Sequence, residues 1–332
     1  MKNYALIIGV GQRQDDTPAM AVTAADAKRV ARELDKREIV SYDNIFTLTD
    51  SDATKGKILD AIASLVTKTD TDKADLVWIY FSGHGCKKTN PEGSAHFLIA
   101  HDTLAVDVEN TALLGADFIE RINKIKAEKI LLLLDCCHAG GISLSEKSRL
   151  PFDEINETIF LSHANRVVIS SSHADNESFT SQPLSVFTYV LVNGLAGAYF
   201  EENDKDVTVF DLAMYLRETV YPLTVRKQRP HLNVFKDTGT KNFILCTYPN
   251  GKPQSPVFDT AFKLTDSTGK SIDLNKEQEM DEDYRAQYQW FSSIKGDENN
   301  VIQGVKNSTI IKGDKNNVIQ GVENSTITIN QK

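Results

Sequence analysis

Residues 80–85 read YFSGHG and residues 131–141 read LLLLDCCHAGG. Each segment carries an apolar run straight into polar residues able to do chemistry, bracketed by glycines that allow sharp turns and close substrate approach. The first contributes His84, and the second contributes Asp135, Cys136, Cys137 and His138. A thiol beside an imidazole is the pair that nucleophilic catalysis needs: the imidazole takes or shuttles the thiol proton, and the thiolate attacks. Side chains alternate faces along a strand, so Asp135 and Cys137 share one side while Cys136 points to the other. A zinc site from Cys136, Cys137 and His138 is disfavoured, because adjacent ligands lack the loop spacing such sites use.

Such residues must sit where the backbone can hold them, and the rest of the chain supplies that frame. Short apolar runs alternate with helical periods over about the first 245 residues, the rhythm of an α/β fold. Strands are expected at 4–11, 44–50, 74–85, 129–137 and 166–172, with near-continuous runs such as ILLLL suited to central parallel strands covered on both faces. Helices are expected at 23–36, 54–68, 116–129, 185–199 and 208–220. In the third, Phe118, Ile119, Ile122 and Ile125 mark one apolar face. The segment 226–245 reads as a polar loop closing on a final edge strand. Polar residues at the carboxyl ends of parallel strands lie where α/β folds place their ligand crevice, which is where His84 and Cys137 fall.

The two motifs, in this order and about fifty residues apart, resemble the signature motifs of the metacaspases and their prokaryotic relatives among the caspase-like cysteine peptidases. The resemblance spans about residues 3–245, including FLIAHD (97–102) and ISSSHADNES (169–178). It implies a caspase-like α/β/α sandwich with a mostly parallel central sheet. The family's second motif is usually Asp-Ser-Cys-His-Ser-Gly-Gly, so the nucleophile falls on Cys137, with Cys136 in the Ser place and Ala139 replacing the second Ser. The dyad base falls on His84. Cys86, Cys136 and Cys246 then read as small buried residues, and His138 as structural. The implied reaction is amide hydrolysis through a thioester, with backbone N–H groups of Gly85 and Cys137 holding the oxyanion.

An acidic pocket selects Lys or Arg before the cut, whereas arginines would select Asp. Asp135 lies two residues before Cys137, and the resemblance adds Asp26 in the first helix and Ser82 of the first motif. Asp26 also admits a plainer reading, as a solvated helix residue or a cap. Between Cys137 and the next strand, the polar loop 141–158 offers Lys147 and Arg149 as points of self-cleavage. Many relatives need calcium, but no D-x-D-x-D-G loop is present from which to derive a site, so no metal ligand is assigned.

Composition narrows the partners. The 332 residues carry a net charge of −9 with no long basic run, which disfavours nucleic acid and favours peptide-like or basic partners. No stretch approaches the roughly 20 apolar residues of a membrane span, and the N-terminus lacks a cleavable signal pattern, so the expected location is cytoplasmic. Adjacent Cys136 and Cys137 argue against a disulfide framework.

The domain boundaries are expected at 1–246 for the peptidase, 247–290 for a Pro- and Gly-marked linker with one helix near EQEMDEDYRAQYQWF, and 291–332 for a repeat. Residues 294–310 and 311–327 differ only at Glu298/Lys315 and Lys306/Glu323. Stacked as cross-β rungs or a two-coil solenoid, residue i over i+17, each difference turns a like-charge clash into an opposite-charge pair. VIQG at 301–304 and 318–321 resembles the core of the RIP homotypic interaction motif, and the layout is similar to fungal and bacterial amyloid signalling motifs. That implies homotypic assembly, or a receptor with a matching motif, and a role in bacterial antiviral defence or cell death. The competing reading is a catalytically silent caspase-like scaffold acting through its tail.

Overall fold

The computed structural model describes residues 2–14, 21–90, 93–137, 146–147, 160, 163–171, 181–200, 204–224, 228–234, 241–251, 253, 263–264, 305–306 and 322–323. Its elements in chain order are β1 (Asn3–Gly9), α1 (Ala21–Lys36), β2 (Ile45–Thr49), α2 (Lys55–Asp72), β3 (Ala74–Asn90) and β4 (Gly93–Leu98). There follow α3 (Val108–Thr111), β5 (Leu113–Leu114), α4 (Gly115–Ile122), β6 (Ala127–Cys137), β7 (Glu146–Lys147), β8 (Arg166–Ser170) and β9 (Ser181–Gln182). The remainder are α5 (Val186–Leu195), β10 (Asp206–Thr208), α6 (Val209–Leu223), β11 (His231–Val234), β12 (Ile244–Thr247), β13 (Lys263–Leu264), β14 (Val305–Lys306) and β15 (Val322–Glu323).

The central path runs β11-β8-β6-β3-β1-β2. The inner pairings β8–β6, β6–β3, β3–β1 and β1–β2 are parallel, and β11 closes one edge antiparallel to β8. Alternation along these strands builds two separate cores. Ala5, Ile7, Trp78, Tyr80, Leu131, Leu133, Val167 and Ile169 face one side, under α1, α5 and α6. Leu6, Ile8, Val77, Ile79, Phe81, Leu132, Leu134 and Val168 face the other, under α2 and α4. Burial on both faces explains why the strands read as unbroken apolar runs.

The helices start where a side chain can satisfy an orphan N–H. Thr54 accepts from Lys57 N at 3.3 Å before α2, Ser185 from Thr188 N at 3.0 Å before α5, and Thr208 from Asp211 N at 3.2 Å before α6. Helix α1 packs on β1 closely enough that a Cβ at Gly9 would lie 2.4 Å from the Thr23 carbonyl oxygen and 2.7 Å from Ala27 Cβ. Glycine is needed there for the approach rather than for an unusual φ.

Two expectations need correction. The helix expected over 116–129 ends at Ile122, and β6 begins at Ala127. Ile125 is still buried with the α4 face, but through tight turns, Lys124 N to Arg121 O and Ile125 N to Ile122 O, both at 3.1 Å. An apolar spacing of three is satisfied equally by a turn and by a helix. The final edge strand is also divided: β11 at 231–234 forms the sheet edge, while β12 leaves the sheet to pair with β10. Leu245 and Cys246 there are buried against the α6 side of the core.

Beyond Ser82, β3 runs on past the expected residue 85 and turns into a side ribbon, pairing antiparallel with β4 from Gly85↔Leu98 to Asn90↔Gly93. In the expected linker, β13 pairs with β9 through Lys263↔Gln182. In the repeat, β14 and β15 pair in parallel with Val305↔Val322 and Lys306↔Glu323, an offset of seventeen residues. The helix expected near EQEMDEDYRAQYQWF lies outside the described residues.

Candidate active site

The β3–β6 ladder ends with the rungs Ser82↔Asp135, Gly83↔Cys136 and His84↔Cys137. Partners in a parallel ladder project to the same face, and the face carrying Ser82 and Asp135 is the one bearing Tyr80, Leu133 and α1. His84 is half-buried. Its carbonyl accepts from Ile99 N at 3.0 Å, so residue 84 spends its peptide groups on the β4 side. By alternation Gly85 turns its N–H the other way, toward the edge where β6 ends at Cys137.

Cys136 is 3% exposed and packs in the opposite core with Val10 and Phe81. Burial first, and the neighbouring Asp135 charge second, push its thiol far above the ordinary range. Burial likewise pushes Cys86 and Cys246 up to about 11 each. These three described cysteines are free buried thiols held protonated, and no metal-ligating cluster of three or more His, Cys, Asp or Glu occurs among the described residues.

The acids converge although the sequence separates them widely. Asp26, in the second turn of α1, is 0% exposed, as are Ser82 and Asp135. It is neither a solvated helix residue nor a cap. Ser82 Oγ donates to Asp26 Oδ2 at 3.3 Å, and the Ser185 backbone N–H donates to Asp26 Oδ1 at 2.9 Å. Ser185 Oγ donates to Asp135 Oδ2 at 2.5 Å, and Thr188 Oγ1 reaches the same oxygen at 3.4 Å. Tyr80 OH lies 2.6 Å from Thr188 Oγ1. Asp135 Oδ1 is buried without a hydrogen-bond partner.

Burial and the charge of Asp135 hold the Asp26 carboxyl well above the usual carboxylate range. Burial also raises Asp135, opposed by hydrogen bonds from Ser185, Ser171 and Thr188. Two carboxyls in a dry site resist ionising together unless a cation joins them. Ser185 and Thr188 were not singled out from the sequence. The signal available was a Ser before the apolar run VFTYVLV, which reads as a helix cap and says nothing of what else the hydroxyl touches.

Of the self-cleavage candidates, Lys147 lies in β7, whose backbone pairs antiparallel with β3 through Cys86↔Lys147 and Lys87↔Glu146. That ladder sets the Glu146 and Lys147 backbone alongside β3, Lys147 pairing two residues beyond His84. Arg149 and His138 lie outside the described residues.

A sandwich whose central parallel strands end in this constellation defines a caspase-like α/β protein, and the chain belongs to the caspase-domain family, which its residues 2–242 match. It is thereby a member of a cysteine peptidase family. Metacaspase-9 of Arabidopsis thaliana is 26% identical over 123 residues, covering 35% of this chain and 37% of that protein, so the match spans little more than a third of that relative. A protein of Geobacter sulfurreducens, solved by crystallography, shares the fold with a TM-score of 0.52 at 17% identity, covering 76% of this chain and 100% of the other. The Drosophila initiator caspase Dronc superposes with a TM-score of 0.48 at 9% identity, over 73% of this chain and 82% of that one. No described helix is long and apolar enough to cross a membrane.

Proposed function

We propose that the protein is a cysteine endopeptidase that cleaves after Arg or Lys through Cys137 and His84. The observation that carries this reading is the pair of ladder rungs His84↔Cys137 and Ser82↔Asp135, with buried Asp26 bonded to Ser82 on the same face. Cys137 attacks the scissile carbonyl carbon, forming the C–S bond, while the carbonyl electrons move to oxygen against the backbone N–H groups of Gly85 and Cys137. Collapse breaks the C–N bond as His84 gives its proton to the leaving amine. Water then attacks the thioester, His84 takes its proton, and the thiolate departs. The energetic argument for Arg or Lys is that a cation entering between Asp26 and Asp135 lets both ionise and meets the orphaned Asp135 Oδ1.

The loop carrying Lys147 and Arg149 is read as a self-cleavage substrate, a reading supported by the β7 rung Cys86↔Lys147, two residues beyond His84. The tail is an assembly element that recruits or oligomerises the enzyme, homotypically or on a receptor with a matching motif, in a defence or cell-death response. Its support is the seventeen-residue repeat and the parallel register Lys306↔Glu323. A catalytically silent scaffold is the competing reading, and intact His84 and Cys137 weigh against it.

The test is an assay of wild type, Cys136→Ala and Cys137→Ala on Arg-, Lys- and Asp-terminated fluorogenic peptides, with and without calcium. Hydrolysis of the Arg and Lys peptides that disappears only in Cys137→Ala supports the reading. Preference for Asp, or activity retained without Cys137, overturns it.

A further inference from the structure

We propose that Ser185, the residue capping α5, is the positioning residue of the acid pocket: it fixes Asp26 and Asp135 with different atoms and leaves Asp135 Oδ1 to receive the substrate cation. This rests on the Arg/Lys reading above and assigns the group that orients that pocket.

The assignment follows from hydrogen-bond bookkeeping. A hydroxyl has one proton and two acceptor positions. Ser185 Oγ already accepts from Thr188 N at 3.0 Å as the helix cap, so its proton is directed at Asp135 Oδ2, 2.5 Å away. The Ser185 N–H separately reaches Asp26 Oδ1 at 2.9 Å. One residue thus ties a carboxylate on α1 to a carboxylate on β6, across 159 and 50 positions of sequence respectively. Ser82 occupies the second oxygen of Asp26, and Thr188, in line with Tyr80, adds to Asp135 Oδ2.

Of the four carboxylate oxygens, three accept from the protein and the fourth, Asp135 Oδ1, is buried with none. Buried acceptors are normally paired, and a guanidinium or ammonium group is the donor that a dry carboxylate pair lacks. The donors at these distances come from β3, the α5 cap and α5, and Ser171 after β8 also acts on Asp135, so the fold rather than solvent decides which oxygen stays open. The partly positive start of α5 points the same way, favouring the charged form of both acids. The titratable groups sharing the cluster are Asp26 from α1, Tyr80 and, four residues further along β3, His84, and Asp135 from β6.

The experiment measures kcat and KM against pH for the full chain carrying Ser185→Ala, Ser185→Gly or Ser185→Thr, using an Arg peptide and its uncharged citrulline isostere. Glycine is tolerated at a helix cap with little loss, so Ser185→Gly removes the donor while sparing α5. The expected result is a KM for the Arg peptide raised about tenfold in the Ala and Gly variants, with kcat within about twofold. The acid limb of kcat/KM moves to higher pH, since a carboxylate deprived of a donor holds its proton longer. Ser185→Thr restores both. Unchanged KM and acid limb with wild type still preferring Arg over citrulline overturn this inference alone, as does a Ser185→Gly protein that fails to fold. Wild type that does not distinguish Arg from citrulline overturns the Arg/Lys reading and this inference with it.

Discussion

His84 and Cys137 are partners on the last rung of the β3–β6 ladder, two residues beyond the Ser82↔Asp135 rung. One parallel ladder therefore carries an imidazole and a thiol residue at its tip and a buried Ser/Asp rung one turn of the pleat below. The same face receives Asp26 from α1 and Ser185 from the start of α5. The residues we assign to catalysis and recognition are thus set by main-chain register in the centre of the sheet, where strands are held on both sides.

The two adjacent cysteines should separate cleanly. Cys137→Ala is expected to lower turnover at least about a thousandfold, as loss of a nucleophile does. Cys136→Ala should leave turnover within a few-fold and lower stability by about 1 kcal/mol, the cost of a small void in the α2/α4 core. Steady-state assay and urea melting of the two variants check this.

Asp26→Asn should exchange function for stability. Its carboxyl is raised in the folded state, so the fold prefers the protonated form. That contribution is fully present below the unfolded carboxylate value, about 4, and is lost as pH rises through the folded value. An amide never ionises, so the variant should melt on the order of 2 °C or more above wild type at pH 8 and alongside it at pH 3. Its kcat/KM on Arg peptides should fall on the order of a hundredfold, since an amide cannot pair with a cation. Melting curves at both pH values and the peptide assay measure the two halves.

Gly9→Ala tests whether the α1–β1 contact positions Asp26. The added methyl would meet the Thr23 carbonyl oxygen at 2.4 Å, a backbone atom that yields only if α1 moves. A cost of about 1–3 kcal/mol is expected from overpacking. Because Thr23 is one turn before Asp26, KM for basic peptides should rise while the residual kcat persists. Equal loss of activity on basic and uncharged peptides would separate α1 from recognition.

The tail pairing makes a charge prediction. Lys306→Glu puts two acids on one rung opposite Glu323, and Lys306→Glu with Glu323→Lys restores an opposite pair. Assembly, followed by sedimentation and dye binding, should be impaired by the single substitution and recovered by the double one. Equal assembly in all three proteins would detach the repeat's charge pattern from stacking.

Much of the frame was legible because its signals are local. The runs ending at YFSGHG and LLLLDCC read as parallel strands, and alternation separated Cys136 from Asp135 without any knowledge of neighbours. Cys136 indeed packs with the α2/α4 face while Asp135 lies under α1 and α5. The end of α4 was misread because Ile125 keeps a helical spacing while sitting in a turn. The split between β11 and β12 was hidden because a short polar-flanked strand carries no mark of which sheet it will join.

By itself the sequence determined which residues could react, how the central strands alternate, and that the two seventeen-residue repeats differ by reciprocal charges. It could not decide that Asp26 is buried, since one acid on an amphipathic helix looks the same solvated or enclosed. Nor could it join Ser185 to two acids 159 and 50 positions away. Those contacts exist only once α1 and α5 lie on the same face of the sheet. Burial there raises both carboxyls, and the arrangement of donors determines which oxygen is left without a hydrogen bond.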